Sequence, residues 1–163
     1  MIDLILIRGL PSAGKTTLVK LLGVAPFGLN HFETDQFFMK DGKYEFDPAR
    51  IGEAHQWCQD EVRRTIKFNQ IHPRSNDHTV IVVSNTFTQR WEMQPYIEMG
   101  YIPCKLTVID LFDGGHSDET LYARNRHGVP LEVIRTLRAG YEHDWRNGDP
   151  VSPWDRPEVM FNV

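Results

Sequence analysis

Residues 2–17 read Ile2-Asp3-Leu4-Ile5-Leu6-Ile7-Arg8-Gly9-Leu10-Pro11-Ser12-Ala13-Gly14-Lys15-Thr16-Thr17, and their pattern decides the fold. Ile2–Ile7 is a nearly continuous apolar run, as expected of a strand buried on both faces of a parallel sheet. It ends at Gly9, and Lys15–Leu22 resumes at helical spacing with Leu18, Val19, Leu21 and Leu22 supplying an inner face. Between strand and helix, Gly9–Thr16 satisfies the G-x-x-x-x-G-K-[ST] pattern without a mismatch. Gly9 and Gly14 allow the turn that points successive N–H groups at phosphate oxygens. Lys15 brings a positive charge to the β- and γ-phosphates, and the Thr16 hydroxyl is placed to ligate Mg²⁺. The helix adds its positive N-terminal dipole. The expected nucleotide-binding set is Gly9, Pro11, Ser12, Ala13, Gly14, Lys15, Thr16 and Thr17, with ATP and Mg²⁺ as ligands.

Outward from this loop, strands alternate with helices. His31–Glu33 reads as a short strand delivering Thr34 and Asp35 at its C-terminal edge. Asp47-Pro48 reads as a helix start, with Asp as N-cap and Pro in the first position. The apolar spacing then runs through Ile51, Ala54, Trp57 or Cys58, Val62, Thr65 and Ile66 to about Asn69. Thr79–Val83 is a second central strand and Lys105–Leu111 a third strand. Thr88–Met99, Asp118–Asn125 and Pro130–Trp145 are expected helices, and Ile71–His78 a loop. The alternation predicts an α/β protein, a P-loop NTPase three-layer α/β/α sandwich. Its sheet should be mostly parallel and four- to five-stranded, with a helical lid. Residues 1–163 are read as one kinase domain, with the lid at about 117–130 and 148–163 as a tail or a strap laid over it.

The chain has 163 residues, enough for one domain with a real core and no staple. Its net charge of −4 argues against holding nucleic acid by bulk positive charge. A local basic groove remains open, because Arg124, Arg126, Arg135 and Arg138 cluster late in the chain. Two cysteines, Cys58 and Cys104, without metal-ligand spacing read as reduced thiols. The opening run is too short for a secretion signal and no stretch approaches a membrane span. The expectation is a cytoplasmic protein without a membrane partner, in the host cytoplasm if of phage origin. The missing Asn-Lys-x-Asp string argues against a GTPase.

Several further pieces resemble one group. They are Arg8-Gly9-Leu10-Pro11, Glu33-Thr34-Asp35-Gln36-Phe37-Phe38, Gly42–Asp47, Ala54–Cys58, Ser84-Asn85-Thr86-Phe87-Thr88 and Arg124-Asn125-Arg126-His127-Gly128-Val129-Pro130. Together, over about residues 2–146, they resemble the P-loop 5′-polynucleotide kinases. The likeness is closest to the kinase-like domain of the Nedd4-binding-protein-two type and its small bacteriophage relatives. The resemblance implies that Asp35 is the general base for the acceptor hydroxyl and joins Thr16 at the metal. It implies that Arg124 and Arg126 are lid arginines clamping the phosphates. At ideal helix geometry, two residues apart, they diverge by about 200° and can converge only if the helix ends between them. His127 is read as a packing or capping residue.

Two departures stand out. Ser84-Asn85 occupies the place where the group carries an acid after the third strand. Either Ser84 or Asn85 serves the metal as a neutral ligand, or Asp35 is the only acid beside it. Phe38 stands near an acceptor-binding arginine of the phage enzymes, a role that Arg90 could take over. Thr86, Arg90 and Trp91 are the candidate acceptor contacts, with Trp91 and Tyr96, or Tyr44 and Phe46, as stacking surfaces for a base. The implied activity is ATP-dependent transfer of the γ-phosphate to a hydroxyl, with single-stranded or 5′-end DNA or RNA as the acceptor. A small-molecule or nucleoside kinase, and a nucleotide-binding regulatory module or slow ATPase, stay open as alternatives.

Overall fold

The computed structural model describes residues 1–72, 78–100 and 104–143. In chain order its elements are β1 (Ile2–Arg8), α1 (Lys15–Leu21), β2 (His31–Phe32), β3 (Met39–Lys40), β4 (Lys43–Tyr44), α2 (Ile51–Ile71), β5 (Thr79–Asn85), α3 (Gln94–Gly100), β6 (Cys104–Asp110), α4 (Asp118–Arg124) and α5 (Leu131–Ala139). Short 3₁₀ segments cover Thr34–Phe38, Pro48–Arg50 and Arg90–Met93.

The main sheet has the order β2-β5-β1-β6, and every pairing in it is parallel. β1 sits between β5 and β6, with Ile2 opposite both Thr79 and Cys104. The alternation of β1 explains the layers. Leu4 and Leu6 point to one face and meet Cys58, Val62 and Ile66 of α2 and Tyr96 of α3. Ile7 points to the other face and meets Val19 of α1, with Ile5 and Leu18 alongside. A third cluster packs Leu121 of α4 and Ile134 of α5 onto Leu10 and Ala13 of the first loop. Each large side chain fully buried in this way stabilises the fold by about 1.5–3 kcal/mol. The layering puts all four strand C-termini at one edge, beneath α4 and α5, where ligands of parallel sheets bind.

Several elements differ from the sequence reading. The helix expected over Thr88–Met99 is a 3₁₀ turn followed by α3 from Gln94. Pro95 lacks an N–H and is tolerated in the first turn of a helix, not in its interior. The turn before it is closed by a capping box between Gln89 and Glu92. Asp47 does cap, accepting from the Ala49 N–H at 3.0 Å, but it starts a 3₁₀ turn, and α2 follows from Ile51 to Ile71. α5 stops at Ala139 with Gly140 as its C-cap, and Tyr141–His143 follow without regular secondary structure. The β3–β4 hairpin was missed although Asp41-Gly42, both at positive φ, is a strong two-residue hairpin signal. The 148–163 strap lies outside the described residues.

Candidate functional site

The turn from β1 into α1 is held in a shape that few sequences adopt. Gly14 has φ 106° and Ser12 φ 65°, so the loop places a strained non-glycine residue beside a glycine that carries the left-handed turn at no steric cost. A neighbouring loop presses against it: a Cβ on Gly114 would lie 2.5 Å from the Ala13 carbonyl oxygen. Lys15 Nζ donates to the carbonyls of Gly9 at 2.7 Å and Leu10 at 3.0 Å. Burial pulls its pKa down to about 8, against the opposing pull of the Glu33 and Asp35 charges.

A cavity of about 580 Å³ opens over this loop. It is lined by Pro11, Ser12, Gly14, Lys15, Thr16 and Thr17 from the loop and α1, by Glu33 and Asp35 from beyond β2, and by Thr86, Arg124 and Arg126. The structure therefore brings together most of the predicted site. Gly9 and Ala13 do not line the cavity. The Gly9 N–H donates to the Thr86 carbonyl at 3.2 Å, and the Ala13 methyl belongs to the core beneath the lid. Arg90 and Trp91 also lie outside the lining. The Arg90 amide donates to Glu142, and Trp91 is 71% exposed. Tyr96 is core, packed edge-on against Phe87 with centroids 5.6 Å apart.

The two lid arginines converge because α4 ends between them. Arg124 closes the helix, and Asn125 turns to extended backbone with ψ 127°. Asn125 then fixes the turn, donating to the Val129 carbonyl at 2.7 Å and accepting from the His127 amide at 2.9 Å. Arg135 and Arg138 take no part in the cavity. They bind Asp113, Asp118, Glu119 and Glu132 and tie α5 to α4 and to the turn before it. Lys15, Lys20, Arg124 and Arg126 set four cationic side chains against the carboxylates of Glu33 and Asp35 in the lining. The cavity is thus locally positive on an acidic chain and suits a polyanion.

Asp35 lies in the 3₁₀ segment whose N-cap is Glu33, so the capping role belongs to its neighbour. Its Oδ1 accepts from the Tyr44 hydroxyl at 3.0 Å. Tyr44 is brought there by the hairpin, stacks on Phe46 and touches the ring of His127 at 5.1 Å. The aromatic lip thus connects Asp35 to the lid. Phe38 is buried beneath it, 5.1 Å from Phe46, and leaves no cation at that position.

Glu33 is a lining residue that sequence reasoning missed. Burial pushes its carboxyl up, but hydrogen bonds from His31 and Ser84 and the nearby positive charge more than offset this and hold it below the usual range. Ser84 donates to Glu33 Oε1 at 2.6 Å, so Asp35 is not the only acid at the site. Asn85 faces away, accepting from the Thr34 amide at 2.8 Å. Lys20, Phe27 and Val129 were missed as lining too, since nothing in their local pattern marks them. Among the described residues no group of three or more His, Cys, Asp or Glu side chains could hold a metal ion. Thr16 and the two carboxylates supply hard oxygen donors, a set that fits Mg²⁺ sharing its shell with substrate phosphates and water.

A second buried network supports the first. Arg8 is fully buried and donates to the carbonyls of Phe87 at 2.9 Å and Glu142 at 2.7 Å and to Asp110 at 3.3 Å. Its guanidinium lies 4.3 Å from the centre of the Tyr141 ring. This ties the ends of β1, β5 and β6 to the segment after α5, immediately before Gly9.

A glycine-rich loop between the central parallel strand and a helix, its lysine sharing a cavity with two arginines at the end of α4, defines a P-loop kinase-like nucleotide-binding domain. The comparisons agree. The family model described as AAA domain matches residues 4–143, and the chain belongs to this family. It is 33% identical over 145 residues to human NEDD4-binding protein 2, an alignment that covers 85% of this chain and 8% of that much longer protein. Among solved structures it is similar to a gluconokinase from Sinorhizobium meliloti 1021, with a TM-score of 0.46 and 18% identity. That match covers 91% of this chain and 78% of the other. No helix among the described residues is long and apolar enough to cross a membrane.

Proposed function

We propose that this chain is an ATP-dependent phosphotransferase whose acceptor is a 5′-hydroxyl of DNA or RNA. The observation that carries the reading is the placement of Asp35 in one cavity with Lys15, Thr16 and both lid arginines. A carboxylate there faces the end of a triphosphate lying along the loop. Asp35 accepts the proton of the acceptor hydroxyl, whose oxygen attacks the γ-phosphorus. The bond to the bridging oxygen breaks, and ADP leaves with the electron pair. Lys15, Arg124 and Arg126 stabilise charge on the transferring group. Mg²⁺ bound with ATP neutralises phosphate charge, and Thr16 and Asp35 are the residues that would hold it.

The nucleic-acid acceptor is supported by the polynucleotide-kinase resemblance and by the lip of Tyr44, Phe46 and His127 next to Asp35. Such rings can stack on the terminal base. The acidic chain limits this grip to the strand end. Phe38 favours a second reading, a small alcohol or nucleoside acceptor, because no cation stands there to hold an acceptor phosphate.

The test is transfer from γ-labelled ATP with Mg²⁺ to 5′-hydroxyl oligonucleotides, nucleosides, small alcohols, or no acceptor. Label on the oligonucleotide is expected. Label on the small acceptors alone would establish the second reading. Free phosphate at the same rate with every acceptor would point to an ATPase or regulatory module.

A further inference from the structure

We propose that Glu33 is the positioning carboxylate of the phosphate site, supplied from just beyond β2 in place of the acid that the end of β5 lacks. The inference rests on the phosphotransferase reading and names a residue that reading does not use. In P-loop NTPases an acid at the end of a strand neighbouring the loop strand helps to hold the magnesium. Here β5 is that strand, and it ends in the neutral pair Ser84-Asn85.

The sheet order places the replacement. β2 lies next to β5, with Phe32 opposite Val83, so one residue further on Glu33 stands opposite Ser84. The serine does not replace the acid; it binds one. Its hydroxyl donates to Glu33 Oε1, and it is itself approached by His31 Nε2 at 2.8 Å. His31 Nδ1 accepts from the Phe27 amide at 2.8 Å, which leaves the ring proton on Nε2. The donors therefore run one way, from the Phe27 N–H through His31 and Ser84 to the carboxylate. A buried relay of that polarity favours an ionised acid at its end. The Glu33 side chain is 11% exposed, yet the residue lines the cavity with Lys15, Thr16 and Asp35.

Glu33 also caps the 3₁₀ segment through its side chain. A glutamine can accept the same hydrogen bond, so capping alone needs no charge. What the cap does not explain is a buried carboxyl group that still opens onto the cavity, beside a lysine and the residues suited to magnesium. Acting on metal-bound water, Glu33 would orient the shell without touching the reacting atoms.

Glu33→Gln keeps the shape and removes the charge. The measurement is affinity for a fluorescent ATP analogue, titrated with Mg²⁺ and separately in EDTA, with thermal melts alongside. The expected result is an apparent Mg²⁺ affinity lowered about tenfold or more, while metal-free nucleotide binding changes less than about twofold. An unchanged Mg²⁺ dependence in a variant that melts like the parent would overturn the proposal. The relocated pair Glu33→Ser with Ser84→Asp is the second test, and it decides if the glutamine variant melts early. Recovery of the parent's Mg²⁺ dependence supports the proposal, and a folded pair without recovery contradicts it. Failure of the phosphotransferase reading would show otherwise, as Mg²⁺ dependence controlled by Glu33 in a parent protein that transfers no phosphate to any acceptor.

Discussion

The two ends of the cavity are built in different ways. The phosphate end is one continuous stretch, Pro11–Thr17, shaped by its own backbone and by Lys15 folding over the carbonyls of Gly9 and Leu10. The carboxylate end is assembled from distant pieces: Glu33 and Asp35 after β2, Ser84 from β5, Tyr44 from the hairpin and His127 from the lid. The first is specified by local spacing and serves any nucleoside triphosphate. The second is specified by which strands are neighbours, and on the proposed function it is where the acceptor would be selected. Changes at the phosphate end should therefore damage binding and transfer together, whereas changes at the other end should separate them.

Lys15→Ala breaks the phosphate end. Loss of kcat/KM on the order of 10³-fold is expected, with ATP binding weakened as well, measured by initial rates and by calorimetric titration. Arg126→Ala tests the lid that spans both ends. It should lower kcat about 10²-fold and leave the dissociation constant of ATP within about fivefold, because a lid arginine acts mainly on charge developing in the transition state.

A pH titration sharpens the contrast. Lys15 lies near 8 in the folded protein, below its ordinary 10.5, so its ionised form destabilises the fold below about pH 8. That penalty fades as pH rises from about 8 towards 10.5. Bound phosphate favours the ammonium, so ATP affinity should fall about tenfold between pH 7 and pH 9, and Lys15→Arg should flatten the profile. The smallest effect is expected at Trp91, which stands outside the cavity. Trp91→Ala should change kcat/KM for a short oligonucleotide by less than about twofold.

The phosphate end was legible because the constraint is local: strand, loop and helix follow one another within twenty residues and each states its role. The lid turn was legible for a similar reason, since Arg124 and Arg126 can share a cavity only if α4 stops at once, as it does. Glu33 was not legible. Its meaning depends on β2 lying beside β5, which puts it against Ser84 fifty-one residues away. The neutral Ser84 suggested a missing acid, but no spacing says from which strand a substitute comes. Trp91 was misleading for the opposite reason: its type suits stacking, but the 3₁₀ turn before α3 points it to solvent. Arg8 carries a similar lesson, an arginine that reads as a surface or ligand charge and is wholly buried in a network of carbonyls.

The central claim is that Asp35 takes the acceptor's proton in a cavity that binds ATP without it. The direct measurement is single-turnover phosphoryl transfer to the best acceptor, paired with ATP binding in EDTA, for the parent and Asp35→Asn. Transfer should fall about 10²–10⁴-fold while the dissociation constant of ATP moves by less than about threefold. Transfer that survives Asp35→Asn at the parent's rate would contradict it and remove Asp35 from the chemistry.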